Sequence, residues 1–321
     1  MRYAVDHITA TGAVLEDTAR TLRAAGMSAA RTVPIAGRVF GAAPRLELAG
    51  RVVFVTGAAR GIGAEVARQA HARGARVAVV GRRLEPLQQL AAELGEGAAA
   101  FQADVGDLDA LQRAADATVA RFGGIDVVIA NAGIAPPSEP ILTIDPGEFE
   151  RTVDIDLLGQ WRTVRATLPA VIERRGHILV VASIYSFVNG ALNASYAASK
   201  AGVEQLTRAL RVELAHHGAT AGVAYLGFVD TDLVGDVFAQ QQIAEARSIA
   251  PQFATRPIPV TRAGRTLVDG VESRAATVTA PGWIRPLLPL RGIAGALMDE
   301  FMLASPALSR AISRAERKQE Q

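Results

Sequence analysis

Residues 51–63 read Arg51-Val52-Val53-Phe54-Val55-Thr56-Gly57-Ala58-Ala59-Arg60-Gly61-Ile62-Gly63, and the chain runs on directly into Ala64-Glu65-Val66-Ala67-Arg68. The run Val52–Val55 shows no polar alternation, which predicts a strand covered on both faces. Glycines at 57, 61 and 63 allow a tight turn and a close backbone approach, and the apolar spacing after them predicts a helix. A helix that opens on such a loop turns its unpaired N-terminal amides toward an anion. The glycine trio alone is weak, but between a buried strand and a helix it reads as a phosphate cradle.

The same alternation recurs along the chain. Short β-branched runs at 51–56, 76–80, 98–102, 125–130, 177–182, 220–225 and 274–279 predict strands. Segments of helical period near 61–73, 85–94, 107–122, 146–173, 194–216 and 262–272 separate them, with Asp107 and Asp145 placed as caps. The expected class is therefore α/β, a doubly wound parallel sheet of about seven strands. Domain bounds follow: an N-terminal extension over 1–48, a central domain over 49–280 and a helical C-terminal extension over 281–321. Val14, Leu15, Thr18 and Leu22 suggest one short helix in the first extension, before an extended connector marked by Pro34 and Pro44. In the last, Ile293, Leu297, Phe301, Leu308 and Ile312 recur at helical spacing, and Ser305-Pro306 predicts a break into two helices. That stripe is expected to pack on the main domain or between subunits, with contact to a lipid surface as the other reading.

Composition excludes several classes. The 321 residues are 50% apolar and 21% charged, which is globular rather than disordered. With no cysteine, disulfides, thiolate metal sites and a thiol nucleophile are excluded, and a reducing cytoplasmic location is expected. A net charge of +2 with scattered arginines gives no support to nucleic-acid binding. No run reaches membrane-span length, and residues 1–11 lack an apolar signal core, so the mature chain is expected to begin near Met1. The histidines His7, His71, His177, His216 and His217 show no metal-ligand spacing, so no metal is implied.

The end of the second strand reads Val80-Gly81-Arg82-Arg83. No carboxylate stands there to accept from the ribose hydroxyls of NAD, whereas guanidinium forks suit a 2′-phosphate. Arg60 adds charge on the same side, so NADP(H) is expected over NAD(H). Tyr196 and Lys200 are four apart on a helix and face the same way. A phenol is a poor acid or base at neutral pH unless a nearby cation favours its anion, and Lys200 supplies one. Lysine occurs only here and at 318 among 34 cations, so a compact ammonium stands where the chain otherwise uses guanidinium. Ser183 closes the fifth strand, at the sheet edge where open α/β folds bind ligands, and can polarise a carbonyl oxygen near Tyr196.

With these motifs in order, the segment from about 48 to 279 resembles the short-chain dehydrogenase/reductase family, which implies a Rossmann fold. The loop Thr56–Gly63 is similar to its TGxxxGxG, Asp104-Val105 to its adenine-contacting pair, and Asn131-Ala132-Gly133 to its NAG segment. Ser183, Tyr196 and Lys200 resemble its catalytic set. The resemblance implies that Tyr196 exchanges the proton, Lys200 lowers its pKa and holds the nicotinamide ribose, and Ser183 orients the substrate oxygen. Leu226-Gly227-Phe228-Val229-Asp230-Thr231 is similar to PGxVxT, which implies that Val229 and Thr231 hold the carboxamide, with Leu226 in place of the proline. Asp156 stands where the family's relay has Asn, adding a negative charge beside the phenol.

Ile134, Ala135, Tyr185, Phe187, Val188 and the segment 233–253 are the expected substrate side, and their apolar character points to an apolar secondary alcohol or ketone. The expected function is hydride transfer between NADP(H) and such a substrate by a homo-oligomer. The alternative is a nucleotide-binding sensor or scaffold of weakened chemistry, motivated by Asp156 and the long extensions.

Overall fold

The computed structural model of the chain describes residues 45–247 and 250–317, so the helix and connector expected within 1–44 lie outside the described residues. Among the described residues the seven strands are β1 (Val52–Thr56), β2 (Arg76–Gly81), β3 (Ala98–Gln102), β4 (Val127–Ala130), β5 (His177–Ser183), β6 (Thr220–Leu226) and β7 (Thr277–Ala280). They form one parallel sheet in the order β3-β2-β1-β4-β5-β6-β7, with Val53 level with Val77 on one side and Val127 on the other. The doubly wound α/β class read from the sequence holds.

Successive helices are α1 (Gly61–His71), α2 (Leu84–Leu94), α3 (Leu108–Phe122), α4 (Pro146–Val153), α5 (Gly159–Glu173), α6 (Ala194–Leu214), α7 (Asp232–Phe238), α8 (Gln241–Arg247), α9 (Gln252–Thr255), α10 (Val260–Glu272), α11 (Leu287–Leu303) and α12 (Pro306–Arg317). They cover both faces because β1 sends alternate side chains to opposite sides. Val53 and Val55 pack with Val66, Leu87 and Leu267, whereas Val52 and Phe54 pack with Leu111, Val164 and Leu210. Complete burial of one such side chain stabilises the fold by roughly 1.5–3 kcal/mol. Leu46 and Leu48, just before the expected bound at 49, are buried in the first of these layers.

Caps form where expected: Asp107 accepts from the Ala110 amide at 3.0 Å and Asp145 from the Glu148 amide at 3.1 Å. The helix expected over 146–173 is interrupted by a π turn, Asp154–Leu158, in which the Gly159 amide bonds to Asp154 five residues back. The expected strand over 274–279 starts only at Thr277, since Arg274 adopts a left-handed φ of 47° and turns the chain instead.

At the N-terminal ends of the strands, polar groups knot the sheet together. The Asp126 carboxylate accepts from the Val52 amide at 2.9 Å and from Arg51 at 2.8 Å, and its carbonyl accepts from the His177 amide. Arg274 donates to the carbonyls of Gly176 and Arg175, both at 2.9 Å, and to Thr220 Oγ1, which also lies 2.9 Å from His177 Nδ1.

The tail does divide at Ser305-Pro306, with Ser305 Oγ accepting from the Leu308 amide. Leu308, Ala311 and Ala315 of α12 bury against Leu192. Leu297 and Phe301 of α11, expected to pack on the main domain or between subunits, are 67% and 60% exposed. Among the described residues no helix is long and apolar enough to cross a membrane.

Candidate active site

The chain leaves β1 outward to β2 and β3 and then returns to β4, so connections diverge on either side of the β1–β4 boundary and leave a crevice at their C-terminal ends. A cleft of ≈ 1060 Å³ opens there, lined by the glycine loop, the ends of β2, β4, β5 and β6, and residues of α7.

Gly57 has φ +66°, and a Cβ there would lie 2.9 Å from Ala132 Cα. A Cβ on Gly63 would lie 2.4 Å from the Gly57 carbonyl oxygen. The loop is thus folded so closely on itself and on β4 that side chains are excluded. Arg60 precedes α1 in extended conformation and offers no side-chain cap, which leaves the first-turn amides beside Gly61 and Ile62 open to the cleft. This cradle fits the pyrophosphate of a dinucleotide.

At the end of β2, Arg82 and Arg83 are exposed and line the cleft, with Arg82 Nε 3.9 Å from Asp104. Arg60 pairs across the cleft with Asp232 at 3.1 Å, both side chains being exposed. Asp104 also accepts from the Gly106 amide, and Val105 is buried. After β4, the Asn131 amide donates to Thr56 Oγ1 at 3.1 Å and its side chain to the Thr56 carbonyl at 3.0 Å, joining the two strand ends. Ala132 and Gly133 follow along the cleft wall. Thr231 caps α7 and touches the glycine loop, its Cγ2 lying 3.4 Å from where a Gly61 Cβ would be. Val229 is buried beside it. Leu226 simply extends β6 by one residue, level with Ser183 and Ala280.

Ser183, Tyr196, Lys200 and Asp156 converge on this cleft. Ser183 ends β5, and the first turns of α6 carry Tyr196 and Lys200 past it. Lys200 Nζ lies 5.3 Å from the Tyr196 ring centre, 3.4 Å from the Val181 carbonyl and 3.6 Å from Asp156. The π turn brings Asp156 inward, where it is fully buried; its Oδ1 accepts from the Ile134 amide at 2.7 Å and its Oδ2 has no hydrogen-bond partner. Glycine at 133 leaves room for the pair, since a Cβ there would sit 3.3 Å from Asp156 and 3.5 Å from Lys200.

The charges act on one another. Burial holds the Tyr196 phenol above its ordinary pKa, Lys200 and a hydrogen bond with Ser183 pull it down, and Asp156 pushes it up. Burial likewise raises Asp156, against Lys200 and the Ile134 amide. Burial works to lower Lys200, but Asp156 and Tyr196 outweigh it and hold the ammonium above its usual range.

Of the expected substrate residues, Ile134 and Ala135 line the cleft. Tyr185 meets Tyr196 edge-on with ring centres 5.8 Å apart, and its pKa is pushed up to about 12 by burial and by Tyr196. Phe187 turns away to pack on Tyr225, also at 5.8 Å, and Val188 is not among the lining residues. Leu233, Val234 and Val237 line the opposite wall. The sequence reading missed Gln160, buried on α5, whose amide donates to the Ala132 carbonyl at 2.6 Å. Its spacing of four from Asp156 was the available signal. It also missed Glu148 and Arg151, which line the cleft from α4. Among the described residues no three His, Asp or Glu side chains are grouped to hold a metal.

The sequence model of the family described as short chain dehydrogenase matches residues 51–242. The chain is 39% identical over 188 residues to cis-4-hydroxycyclohexanecarboxylate dehydrogenase of Sinomonas cyclohexanicum, covering 57% of this chain and 75% of that protein. It is 32% identical over 248 residues to 11-beta-hydroxysteroid dehydrogenase A of Sesamum indicum, covering 74% and 70%. The crystal structure of a short-chain type dehydrogenase/reductase from Mycobacterium marinum superimposes with a TM-score of 0.65 at 29% identity, over 73% of this chain and 94% of that one. The matched segment spans the glycine cradle, Ser183, Tyr196 and Lys200, and on these grounds the chain belongs to the short-chain dehydrogenase family of oxidoreductases.

Proposed function

We propose that this chain is an NADP(H)-dependent oxidoreductase that moves a hydride between the nicotinamide and an apolar secondary alcohol or ketone, with Tyr196 giving and taking the proton. The observation that carries the reading is the convergence of Ser183, Tyr196 and Lys200 on the cleft that the glycine cradle opens into. The family uses NAD(P)(H). A bound nicotinamide supplies or accepts the hydride. Gly57, Arg60, Gly61, Ile62 and Gly63 would hold the pyrophosphate, Asp104 and Val105 the adenine side, and Asn131, Ala132 and Gly133 the middle of the cofactor. Val229 and Thr231 would hold the carboxamide, and Lys200 the ribose. Arg82 and Arg83, exposed and without a carboxylate at the end of β2, support a 2′-phosphate partner.

In reduction, Tyr196 Oη donates its proton to the carbonyl oxygen that Ser183 Oγ orients; in oxidation the phenolate takes it back. The lining of Ile134, Ala135, Pro136, Pro137, Leu233 and Val237 supports an apolar substrate. Two relatives named for a hydroxycyclohexanecarboxylate and a hydroxysteroid support a hydroxyl carried on a saturated ring. We place cofactor and substrate within 49–280.

Titration of the full chain with NADPH and NADH, read by nicotinamide fluorescence, tests the reading. One charge-assisted contact contributes about 1.5–3 kcal/mol, so NADPH is expected to bind about ten- to a hundredfold tighter and Arg82→Asp to erase the difference. Equal affinity for the two would refute the NADP(H) assignment, and binding of neither would refute the enzyme reading.

A further inference from the structure

Asp156 places a second charge against Lys200, and counting charges in the buried site shows what it does. With the phenol protonated, and Asp156 kept ionised by Lys200 and the Ile134 amide, Asp156 and Lys200 cancel and the group is neutral. Ionising Tyr196 then leaves two anions around one ammonium. If position 156 were an uncharged amide, the same ionisation would take the group from +1 to neutral. Because burial penalises net charge, the carboxylate makes the protonated phenol the favoured state. Resting on the oxidoreductase reading above, we propose that Asp156 is a positioning residue that occupies Lys200 and so sets this site to donate a proton to a carbonyl at neutral pH, with alcohol oxidation confined to alkaline conditions.

The geometry is specific to that pairing. Asp156 is fully buried, its Oδ1 is held by the Ile134 amide, and its Oδ2, which accepts no hydrogen bond, lies 3.6 Å from Lys200 Nζ. Among the described residues, Lys200 is the one cation within ion-pair distance of Asp156. Lys200 and Tyr196 face Asp156 from α6, and Tyr185 faces Tyr196 from the turn after β5. Glu148 and Arg151 line the same cleft from α4 with opposite charges and pair with each other at 3.4 Å. Asp154, on the same π turn, pairs instead with Arg162 at 2.7 Å. The upward push of Asp156 on the phenol agrees with the charge count.

The chain has four tyrosines, so the ultraviolet difference between the wild type and Tyr196→Phe isolates the ionisation of one phenol without substrate or cofactor. That ionisation is expected above the ordinary phenol value of about 10 in the wild type. In Asp156→Asn, which keeps an acceptor for the Ile134 amide, it is expected to move down by about one pH unit. Oxidation of a cyclic secondary alcohol at pH 7 would then rise about tenfold. A wild-type midpoint below the free-phenol value overturns the proposal even if Asp156→Asn fails to fold, and so does an unshifted or raised midpoint in a folded Asp156→Asn. The spectroscopic arm reads Tyr196 whether or not NADP(H) binds, and loss of NADPH binding in the wild type counts against the enzyme reading alone.

Discussion

His177 stands at the start of β5, fully buried, with Nδ1 against Thr220 and Nε2 unpartnered. Burial, reinforced by Arg274 and Arg211, pulls its pKa from 6.5 down to about 3. The folded state therefore keeps the imidazole neutral where the unfolded chain protonates it. Above pH 6.5 both states are neutral and the group is silent; as pH falls below 6.5 the unfolded chain binds the extra proton and stability is lost, until the folded ring titrates near 3. From those two values the loss is about 0.8 kcal/mol at pH 6 and about 2 kcal/mol at pH 5. Urea unfolding of wild type and His177→Gln at pH 7, 6 and 5 isolates this, since other groups cancel in the difference. The stability gap between the two should change by about 2 kcal/mol from pH 7 to 5, in favour of the variant. Parallel pH dependences would refute the claim that this ring is buried in its neutral form.

Gly63→Ala forces a methyl group to within 2.4 Å of the Gly57 carbonyl, so dinucleotide affinity should fall at least about tenfold with the fold retained; unchanged fluorescence titrations would contradict the cradle. Leu48→Ala removes a side chain 2% exposed and should cost about 2–5 kcal/mol in urea unfolding, a loss that would not appear if residues before 49 were a mere appendage. Tyr196→Phe should lower turnover about 10²–10⁴-fold with NADPH affinity kept, and retained turnover would remove Tyr196 from proton transfer.

The parts of the molecule that sequence made legible are those specified locally. The β1 run and its glycines predict a strand, a turn and a helix without reference to anything distant, and Tyr196 and Lys200 share a face by helical spacing alone. The π turn at Asp154–Leu158 was illegible because a single wider turn leaves the segments before and after it each with an ordinary helical period, and it is within that turn that Asp156 is buried. The packing of Phe187 on Tyr225 was illegible for a similar reason. It follows a short 3₁₀ turn, Ile184–Ser186, whose rotation decides which way the next side chains point. The apolar stripe of α11 was legible as a stripe, but whether this chain covers it depends on the path of distant segments, and within the chain Leu297 and Phe301 are left uncovered.

The polar knot below the sheet bears on how the protein tolerates change. Asp126, His177, Thr220 and Arg274 lie at the strand beginnings, while Thr56, Asn131, Ser183 and Leu226 lie at strand ends. The central strands β1, β4, β5 and β6 thus each have an anchored foot and a working tip, separated by an apolar stretch that carries no ionisable group of its own in β1 or β4. Substitutions at the feet should be felt as lost folding free energy and those at the tips as altered ligand preference. New specificities can therefore accumulate at the rim of this sheet without drawing on the interactions that hold its base.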